Sequence, residues 1–400
     1  MSLFEGYLST PEAVAAFSGP AVVAAMLRFE AALAQAQAEE GLVPPAAARS
    51  IVDSCRVELF DVEKIVRDSG RAGSVAIPLI KALREAVGLF NAEAVAWTHF
   101  GSTSQDVIDT ALVLVTRDAL DLLDADLRRC IASLLALAEA HADTPMLART
   151  LMQPASVTSL GFKCADWAAP LVRGQKRLQQ AAADALQLQL GGGVGTLAQM
   201  GVDAPRAAAV RARVAASLGL RDGGGAWHTQ RDDWVALGCA LALLTGSLGK
   251  LAADLALLGQ HEVGELMEPA ETGRGVSTVM PHKRNPVASM VALSAAQRAP
   301  QRVAALLAGM VQQHERALGP WQAEQAEWLS LWLAALGSLR ALATALPGLR
   351  VDAARMQANI DRVCAELPAE TVREWFAPAL VAMAGDQARQ RTVALRRVAG

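Results

Sequence analysis

The chain has 400 residues and a formal net charge of −3 at pH 7, which gives no indication of a nucleic-acid-binding surface or a charged interaction tail. Apolar residues make up 52% of the chain and aromatic residues only 4%, because alanine and leucine supply most of the apolar side chains. This composition favours closely packed helices over a β-sandwich or a β-barrel.

The start of the chain carries no basic region followed by an apolar one, so we predict no signal peptide and a cytoplasmic location. The longest uncharged run, residues 234–249, has 16 residues and contains two hydroxyl side chains. It is too short to span a bilayer, so we expect no membrane partner. The five cysteines lie far apart in the sequence, and we predict that they are reduced and form no metal site.

The first hundred residues are predicted to form short helices, one opened by Thr10 and Pro11 and one over residues 20–40. The first polar break follows at residues 99–106, where Gly101 interrupts the helical pattern. Thr103 or Ser104 is placed to cap the long helix that comes next. Because a helix N-terminus attracts anions, the neighbouring His99 predicts an anion-binding helix end here.

Apolar residues then alternate at spacings of three and four over residues 120–137, and again over residues 234–258. The second seam corresponds to about 36 Å of helix at 1.5 Å per residue. A seam of this length needs partner helices, so the pattern predicts a bundle of long helices. We also expect self-association, because one chain of this size would not cover helices this long.

The second polar break, residues 141–155, is bracketed by Pro145 and Pro154 and contains Arg149 and Gln153. A helix is predicted to follow over about residues 156–189. The glycine-rich run at residues 191–196 is similar to a phosphate loop, but it lacks the Lys-Ser/Thr pair of that motif and is predicted to be a tight turn. His228 and Gln230 precede the second apolar seam.

The third polar break, residues 273–286, holds two glycines and two prolines between helical flanks, so it is predicted to be a loop. Asn285 before Pro286 is typical of a helix N-cap, and Lys283 beside that helix end predicts a second anion site. A glycine-hinged loop over such a site is typical of a lid. After residue 351 we predict short helices, and from Gln387 onward a frayed or solvated end.

Together the breaks resemble the signature regions of the fumarase/aspartase superfamily of lyases, in the same order along the chain. Within that superfamily the segments are most similar to the cycloisomerases that lactonise carboxymuconate, and the match covers residues 5–363. The segments that carry the resemblance are Thr103-Ser104-Gln105-Asp106-Val107-Ile108-Asp109-Thr110-Ala111, Trp227-His228-Thr229-Gln230-Arg231-Asp232, Met280-Pro281-His282-Lys283-Arg284-Asn285-Pro286 and His314-Glu315-Arg316-Ala317-Leu318-Gly319.

The resemblance implies an all-α, three-domain fold with a central bundle of long helices. The implied domains are an N-terminal helical domain at residues 1–100, the bundle at 101–345 and a short, divergent C-terminal segment at 346–400. It also implies a homotetramer with active sites at subunit junctions, a small polycarboxylate substrate, and neither a metal nor another cofactor.

We predict Ser277 and Lys283 as the catalytic residues. By position, Ser277 matches the mobile-loop serine that handles the proton on the carbon next to a carboxylate, and Lys283 matches a carboxylate-binding residue of the same loop. Val276 and Thr278 depart from the glycine and second serine of the family's loop signature. The other residues predicted to bind substrate are His99, Thr103, Ser104, Arg149, Gln153, His228, Gln230 and Asn285.

Relatives that expel an amine use a histidine in the second region and a glutamate after the loop signature. This chain has Leu151 and Met152 in that region, no histidine between residues 142 and 227, and Met290 at the glutamate position. An acid is dispensable where the oxygen that is joined or released is a carboxylate, already ionised near neutral pH. We therefore predict lactonisation of 3-carboxy-cis,cis-muconate. The alternatives are a sulfomuconate cycloisomerase, an adenylosuccinate- or argininosuccinate-type lyase, and a non-catalytic, crystallin-like protein.

Overall fold

A computed structural model describes residues 5–271 and 273–399; residues 1–4, which open the stretch used for the signal-peptide prediction, lie outside it. The described chain is all-α apart from two small antiparallel sheets, as predicted. The helices are α1 (Pro11–Ala16), α2 (Gly19–Glu39), α3 (Pro45–Ser54), α4 (Val62–Ala72), α5 (Ala76–Phe90), α6 (Ser104–Ala140), α7 (Leu160–Ala185), α8 (Ala204–Leu218), α9 (Asp232–Leu258), α10 (Val287–Ala308), α11 (Pro320–Ala345), α12 (Ala353–Ala365), α13 (Ala369–Trp375) and α14 (Pro378–Ala399). The strands are β1 (Pro145–Thr150) and β2 (Gln153–Ser159), which pair together, and β3 (Leu266–Met267) and β4 (Arg350–Val351), which form the second pair.

A bundle of long helices, α6, α7, α9, α10 and α11, forms the centre of the fold. Every residue of the second apolar seam is buried in α9, which confirms the prediction from its spacing; these residues are Trp234, Leu237, Leu241, Leu244, Leu248, Leu251, Leu255 and Leu258. Small residues allow the helices to approach closely. A Cβ added at Gly249 of α9 would lie 2.3 Å from the Cβ of Ala296 on α10, so glycine is required at that contact.

Three segments are long and apolar enough to cross a membrane by length and composition, namely Pro11–Glu39, Asp232–Leu258 and Pro320–Gly348. The longest uncharged run did not reveal them, because isolated charges interrupt otherwise apolar helices. In the fold, 61% of the most apolar window of the second segment and 67% of that of the third are buried. The apolar surface of these two helices is thus used largely by the bundle.

The C-terminal helix α14 contradicts the prediction of a frayed end. It packs against α6, α7 and β2, and its arginines pair with acidic side chains on α6, on α7 and in the loop that follows α6. The ion pairs are Arg389–Asp143 at 3.0 Å, Arg391–Asp166 at 2.5 Å and Arg396–Glu139 at 2.6 Å. The basic composition that predicted a solvated tail instead matches a complementary acidic surface within the chain.

The second polar break is a β-hairpin, and α7 begins at Leu160 rather than near residue 156. Its two turn residues, Leu151 and Met152, have φ angles of 48° and 67°. Two-residue hairpin turns with positive φ at both positions favour asparagine and glycine, so this turn is strained. Leu151 is 97% exposed, which leaves an apolar side chain projecting from the hairpin tip.

Candidate active site

The three polar breaks lie at two opposite ends of α9. At its N-terminal end, Gln105 Nε2 donates to the carbonyl oxygen of His228 at 2.9 Å, so the start of α6 lies beside the start of α9. At its C-terminal end, the Glu265 N–H donates to the carbonyl oxygen of Leu258, and Glu265 also binds Arg149 of the hairpin. The 27 residues of α9 correspond to about 40 Å. The hairpin and the predicted lid, residues 273–286, therefore lie at the C-terminal end of α9, while the first break lies at its N-terminal end.

A cleft of about 540 Å³ lies at the N-terminal end of α6, within the size range of small-molecule sites. The structure places the predicted residues His99, Thr103 and Ser104 together in its wall. No lid residue is among the described residues that line it. The full lining is Ala76, Ile77, Ile80, Lys81, Arg84, Glu85, Val95, His99, Ser102, Thr103 and Ser104.

His99 is held in the cleft wall by the buried carboxylate of Glu30, 2.6 Å from its Nδ1. Its backbone has a φ of 63°, and its side chain is 13% exposed. Burial lowers the pKa of His99, but the charge and hydrogen bond of Glu30, with a further contribution from Asp106, outweigh burial and the opposing charge of Arg84. The pKa of His99 is therefore raised above its ordinary value of 6.5. A protonated His99 adds positive charge to this helix end.

Replacing His99 with glutamine is expected to cost stability in a pH-dependent way. Because the pKa of His99 is raised in the folded chain, its stabilising contribution is present below about pH 6.5 and is lost as pH rises through the folded pKa. The difference in unfolding free energy between the wild type and His99→Gln should therefore be largest below about pH 6.5 and should shrink as pH rises above it in urea titrations. Exposed His261 provides the control substitution, and a difference that stays constant for His99→Gln would contradict the ion pair.

Thr103 caps α6, as predicted, and its backbone N–H donates to Asp106 Oδ2 at 3.0 Å. Its hydroxyl accepts a hydrogen bond from Nη1 of Arg316 at 2.5 Å. Arg316 also donates to Gln105 Oε1. The segment around Arg316 carried part of the family resemblance, but its position beside the α6 N-terminus was not predicted. It brings a further cation to this end of α6.

Asp106 explains the glycine-rich turn that follows α7. Its two carboxylate oxygens accept the N–H groups of Gly191 and Gly192 at 2.9 and 2.8 Å. The loop is a tight turn, as predicted, and it cradles an internal carboxylate rather than a phosphate. Gly192 has a φ of 68°, and an added Cβ would lie 2.8 Å from the Gly101 carbonyl oxygen. Asp106 also binds Nε2 of His228 at 2.7 Å.

The sequence predicts that His228 binds substrate, but in this chain His228 lies inside the protein, away from the cleft. It is 3% exposed, its Nε2 is bonded to Asp106, and it does not line the cleft. The adjacent Gln230 is exposed at the start of α9. The sequence could not separate these two neighbours, because only the fold determines which of them points into the protein.

A fully buried ion network lies beneath the start of α6. Arg231 donates to both oxygens of Asp109, at 2.8 and 3.3 Å, and its Nε donates to Glu324 at 3.1 Å. Its guanidinium also lies 4.3 Å from the ring centroid of Trp227. Burial raises the pKa of Glu324, although the charge of Arg231 opposes this. The network joins α6 and α11 to the start of α9.

The lid is closed on itself by local hydrogen bonds. Ser277 Oγ accepts the Met280 N–H at 3.1 Å, and the Asn285 N–H donates to the Gly275 carbonyl oxygen at 2.9 Å. Ser277 is half-buried, and Lys283 is exposed. This arrangement holds the predicted catalytic pair on a short, solvent-facing loop.

The predicted anion site at the start of α10 is occupied by the chain's own carboxylate. The N-cap is Pro286, not Asn285, because the Asn285 backbone is engaged in closing the lid. Glu268 accepts the N–H groups of Ala288 and Ser289 at 2.9 and 2.8 Å. The helix end binds an anion, as its dipole favours, but that anion comes from the preceding loop.

Arg149 is likewise engaged within the chain. Its guanidinium binds the fully buried carboxylate of Glu265 through two hydrogen bonds of 3.0 and 2.6 Å, and Asn359 donates to the same carboxylate. Arg149 thus forms a structural ion pair in this chain, and its predicted contact with substrate stays a prediction. Gln153 lies exposed at the hairpin. Within residues 5–271 and 273–399, no three metal-binding side chains lie together.

Comparisons with known proteins agree with this architecture. A family model described as "Lyase" matches residues 8–300. A 3-carboxy-cis,cis-muconate cycloisomerase of Bradyrhizobium diazoefficiens is 46% identical over 87% of this chain and 76% of its own length. A nitrosuccinate lyase of Streptomyces davaonensis is 40% identical over 92% of this chain and 78% of its own.

A solved structure, the 3-carboxy-cis,cis-muconate lactonizing enzyme of Pseudomonas putida, superposes with a TM-score of 0.86 at 40% identity. The superposition covers 99% of this chain and 89% of that one. Together with the matched family model, it agrees with the long-helix bundle of this chain. The chain therefore belongs to this lyase family, within the fumarase/aspartase superfamily that its sequence resembles.

Proposed function

We propose that the chain catalyses the lactonisation of 3-carboxy-cis,cis-muconate to 4-carboxymuconolactone. One carboxylate oxygen of the substrate adds to a double bond, the electron pair moves to the neighbouring carbon, and that carbon takes up one proton. The trianionic substrate thus becomes a dianionic lactone by consuming one proton from water. Because the attacking oxygen is already ionised, the reaction needs no base and no cofactor to generate the nucleophile.

The observation that carries the proposal is the hairpin tip. Where amine-expelling relatives carry a proton-donating histidine, this chain exposes Leu151 and Met152, which are 97% and 69% accessible. Neither side chain can protonate a leaving amine or hydroxyl. The position of the paired glutamate is Met290, 48% exposed. An apolar tip suits a reaction in which no leaving group needs protonation.

We propose further that the active site is shared between subunits of a homotetramer. Ser277 and Lys283 lie near one end of α9, and His99 and Thr103 lie near the other, about 40 Å away. Copies that pack with their bundles antiparallel bring the lid of one subunit to the cleft of another. Exposed apolar side chains on the bundle helices support such packing; they are Leu243, Leu257, Met290 and Leu307.

The proposal is tested by mixing the purified protein with 3-carboxy-cis,cis-muconate and following the loss of the conjugated-diene absorbance. Product formed in deuterated water should carry one deuterium on the carbon next to a carboxylate. The panel should include the sulfonated analogue, adenylosuccinate, argininosuccinate and nitrosuccinate, the last because of the 40% identical relative. Cleavage of an amino- or nitro-substituted succinate without turnover of the carboxymuconate would overturn the proposal.

Replacing Lys283 with alanine is expected to raise KM about tenfold or more and to change kcat much less. The exposed ammonium group of Lys283 is placed to bind a substrate carboxylate, and hydrogen bonds to charged groups contribute about 1.5–3 kcal/mol. The matched control is Lys64→Ala, which removes an exposed lysine paired with Asp68 on α4. An unchanged KM for Lys283→Ala would exclude the anion-binding role of Lys283.

A further inference from the structure

The cleft at the start of α6 has a second wall that the family resemblance did not assign. It is one face of α5, which presents side chains at spacings of three and four, and they point into the same space as His99 and Thr103. The residues of this face are Ala76, Ile77, Ile80, Lys81, Arg84 and Glu85. Its first part is apolar and its second part is charged.

Within the described residues Arg84, like Arg316, forms no ion pair with a carboxylate, but unlike Arg316 it lines the cleft. Its Nη2 donates to the Thr98 carbonyl oxygen at 3.2 Å, which orients the guanidinium and leaves most of its five N–H donors available. By contrast, Arg149 and Arg231 each bind a buried carboxylate through two hydrogen bonds. A guanidinium held in this way is ready to bind a carboxylate from outside the chain.

Lys81 lies one helical turn before Arg84 and adds a second cation to the wall. Its ammonium group is 4.0 Å from Glu85, and the two side chains are 79% and 68% exposed. An exposed pair at this distance contributes little, so Lys81 is also available to an anion. Ile77, Ile80 and Val95 add apolar surface to the same cleft.

We propose that Arg84, assisted by Lys81, binds the third carboxylate of the substrate and makes the enzyme selective for tricarboxylates. This inference rests on the proposed function. The α6 N-terminus with His99 provides one anion site, Lys283 from another subunit provides the second, and the charged end of α5 provides the third. The apolar side chains of the cleft accommodate the hydrocarbon chain. Arg84 is thus a specificity-determining residue, not a proton donor.

The test uses two unreactive probes that differ by one group, propane-1,2,3-tricarboxylate and glutarate, which lacks the central carboxylate. Their binding to the full-length wild type, Arg84→Gln and Arg84→Lys is measured by calorimetry. Arg84→Gln should weaken tricarboxylate binding by about tenfold or more and glutarate binding much less, since hydrogen bonds to charged groups are among the stronger ones. Arg84→Lys should recover only part of the loss, because lysine cannot bind a carboxylate through two parallel bonds.

Arg67→Gln on α4 is the matched control, because Arg67 is 64% exposed, carries the same charge and does not line the cleft. It should leave both affinities unchanged. Equal losses for both probes in Arg84→Gln, or no tricarboxylate binding by the wild type, would overturn the inference. Tricarboxylate binding that depends on Arg84 in a protein without carboxymuconate turnover would support Arg84 as an anion site while rejecting the proposed reaction. The two failures are thereby distinguished.

Discussion

Replacing Ser277 with alanine is expected to lower kcat by about 10²–10⁴, the usual contribution of a positioned proton donor. The carbanion formed next to the carboxylate is basic enough to be protonated by a hydroxyl. Ser277 is the hydroxyl that the lid holds in place, with its oxygen bonded to the Met280 N–H. KM should change little, because carboxylate binding is assigned to other groups. A kcat within threefold of the wild type would remove Ser277 from the mechanism.

The control is Ser133→Ala on α6, whose hydroxyl bonds only the Arg129 carbonyl oxygen of its own helix. A second measurement tests where Ser277 acts. Ser277→Ala and His99→Gln, each weakly active, are mixed, dissociated and reassembled. If the lid of one subunit completes the cleft of another, some sites regain both residues and activity rises above that of either variant. If activity does not rise, the active sites are not shared between subunits. The role of Ser277 as proton donor is then judged from kcat alone.

Local patterns predicted the helices of this protein well. The apolar spacing of α9 identifies its buried face, since side chains three and four residues apart share one side of a helix. The same holds for the cap at Thr103, because the residues that satisfy it lie within one turn. Features of this kind depend on residues that are close together in the sequence, so they can be predicted from the sequence alone.

Partners from distant parts of the chain account for the corrections. Arg149 and Glu265 lie 116 residues apart, and His228 and Asp106 lie 122 apart. Both pairs satisfy buried charges, so residues that the sequence offers as substrate contacts have structural partners in the fold. Glu268 lies outside the predicted loop and fills the helix end that the loop was expected to provide.

Arg84 is a candidate binding residue that the sequence did not indicate. An exposed arginine on a surface helix is usually part of a solvated face, and its spacing with Ile77 and Lys81 is typical of an ordinary amphipathic helix. Only the position of α5 across from the α6 N-terminus turns that face into the wall of a cleft. Neither a motif nor a period in the sequence carries this information.

Replacing Arg231 with methionine is expected to lower the unfolding free energy by about 3–5 kcal/mol, the usual loss when one partner of a buried ion network is removed. The variant leaves Asp109 and Glu324 buried without their cation, and Trp321 and Gln189 donate only neutral hydrogen bonds to Asp109. The measurement is urea unfolding at one fixed protein concentration, because assembly also contributes to stability. Arg213→Met is the control: Arg213 pairs with Glu39 and Glu40 but is 49% exposed, so its loss should lower the unfolding free energy much less.

The pH dependence of the Arg231→Met variant separates a charge effect from lost packing. Burial already raises the pKa of Glu324 in the intact network, and removing Arg231 removes the charge that opposed this rise. A carboxyl group whose folded pKa is raised gains stability as pH falls, because its protonated form is the one that the interior tolerates. The loss of unfolding free energy caused by Arg231→Met should therefore become smaller towards acidic pH. At neutral pH, adding Glu324→Gln should recover part of the lost free energy. If the loss of unfolding free energy is constant with pH and unaffected by Glu324→Gln, Arg231 stabilises the bundle through packing alone.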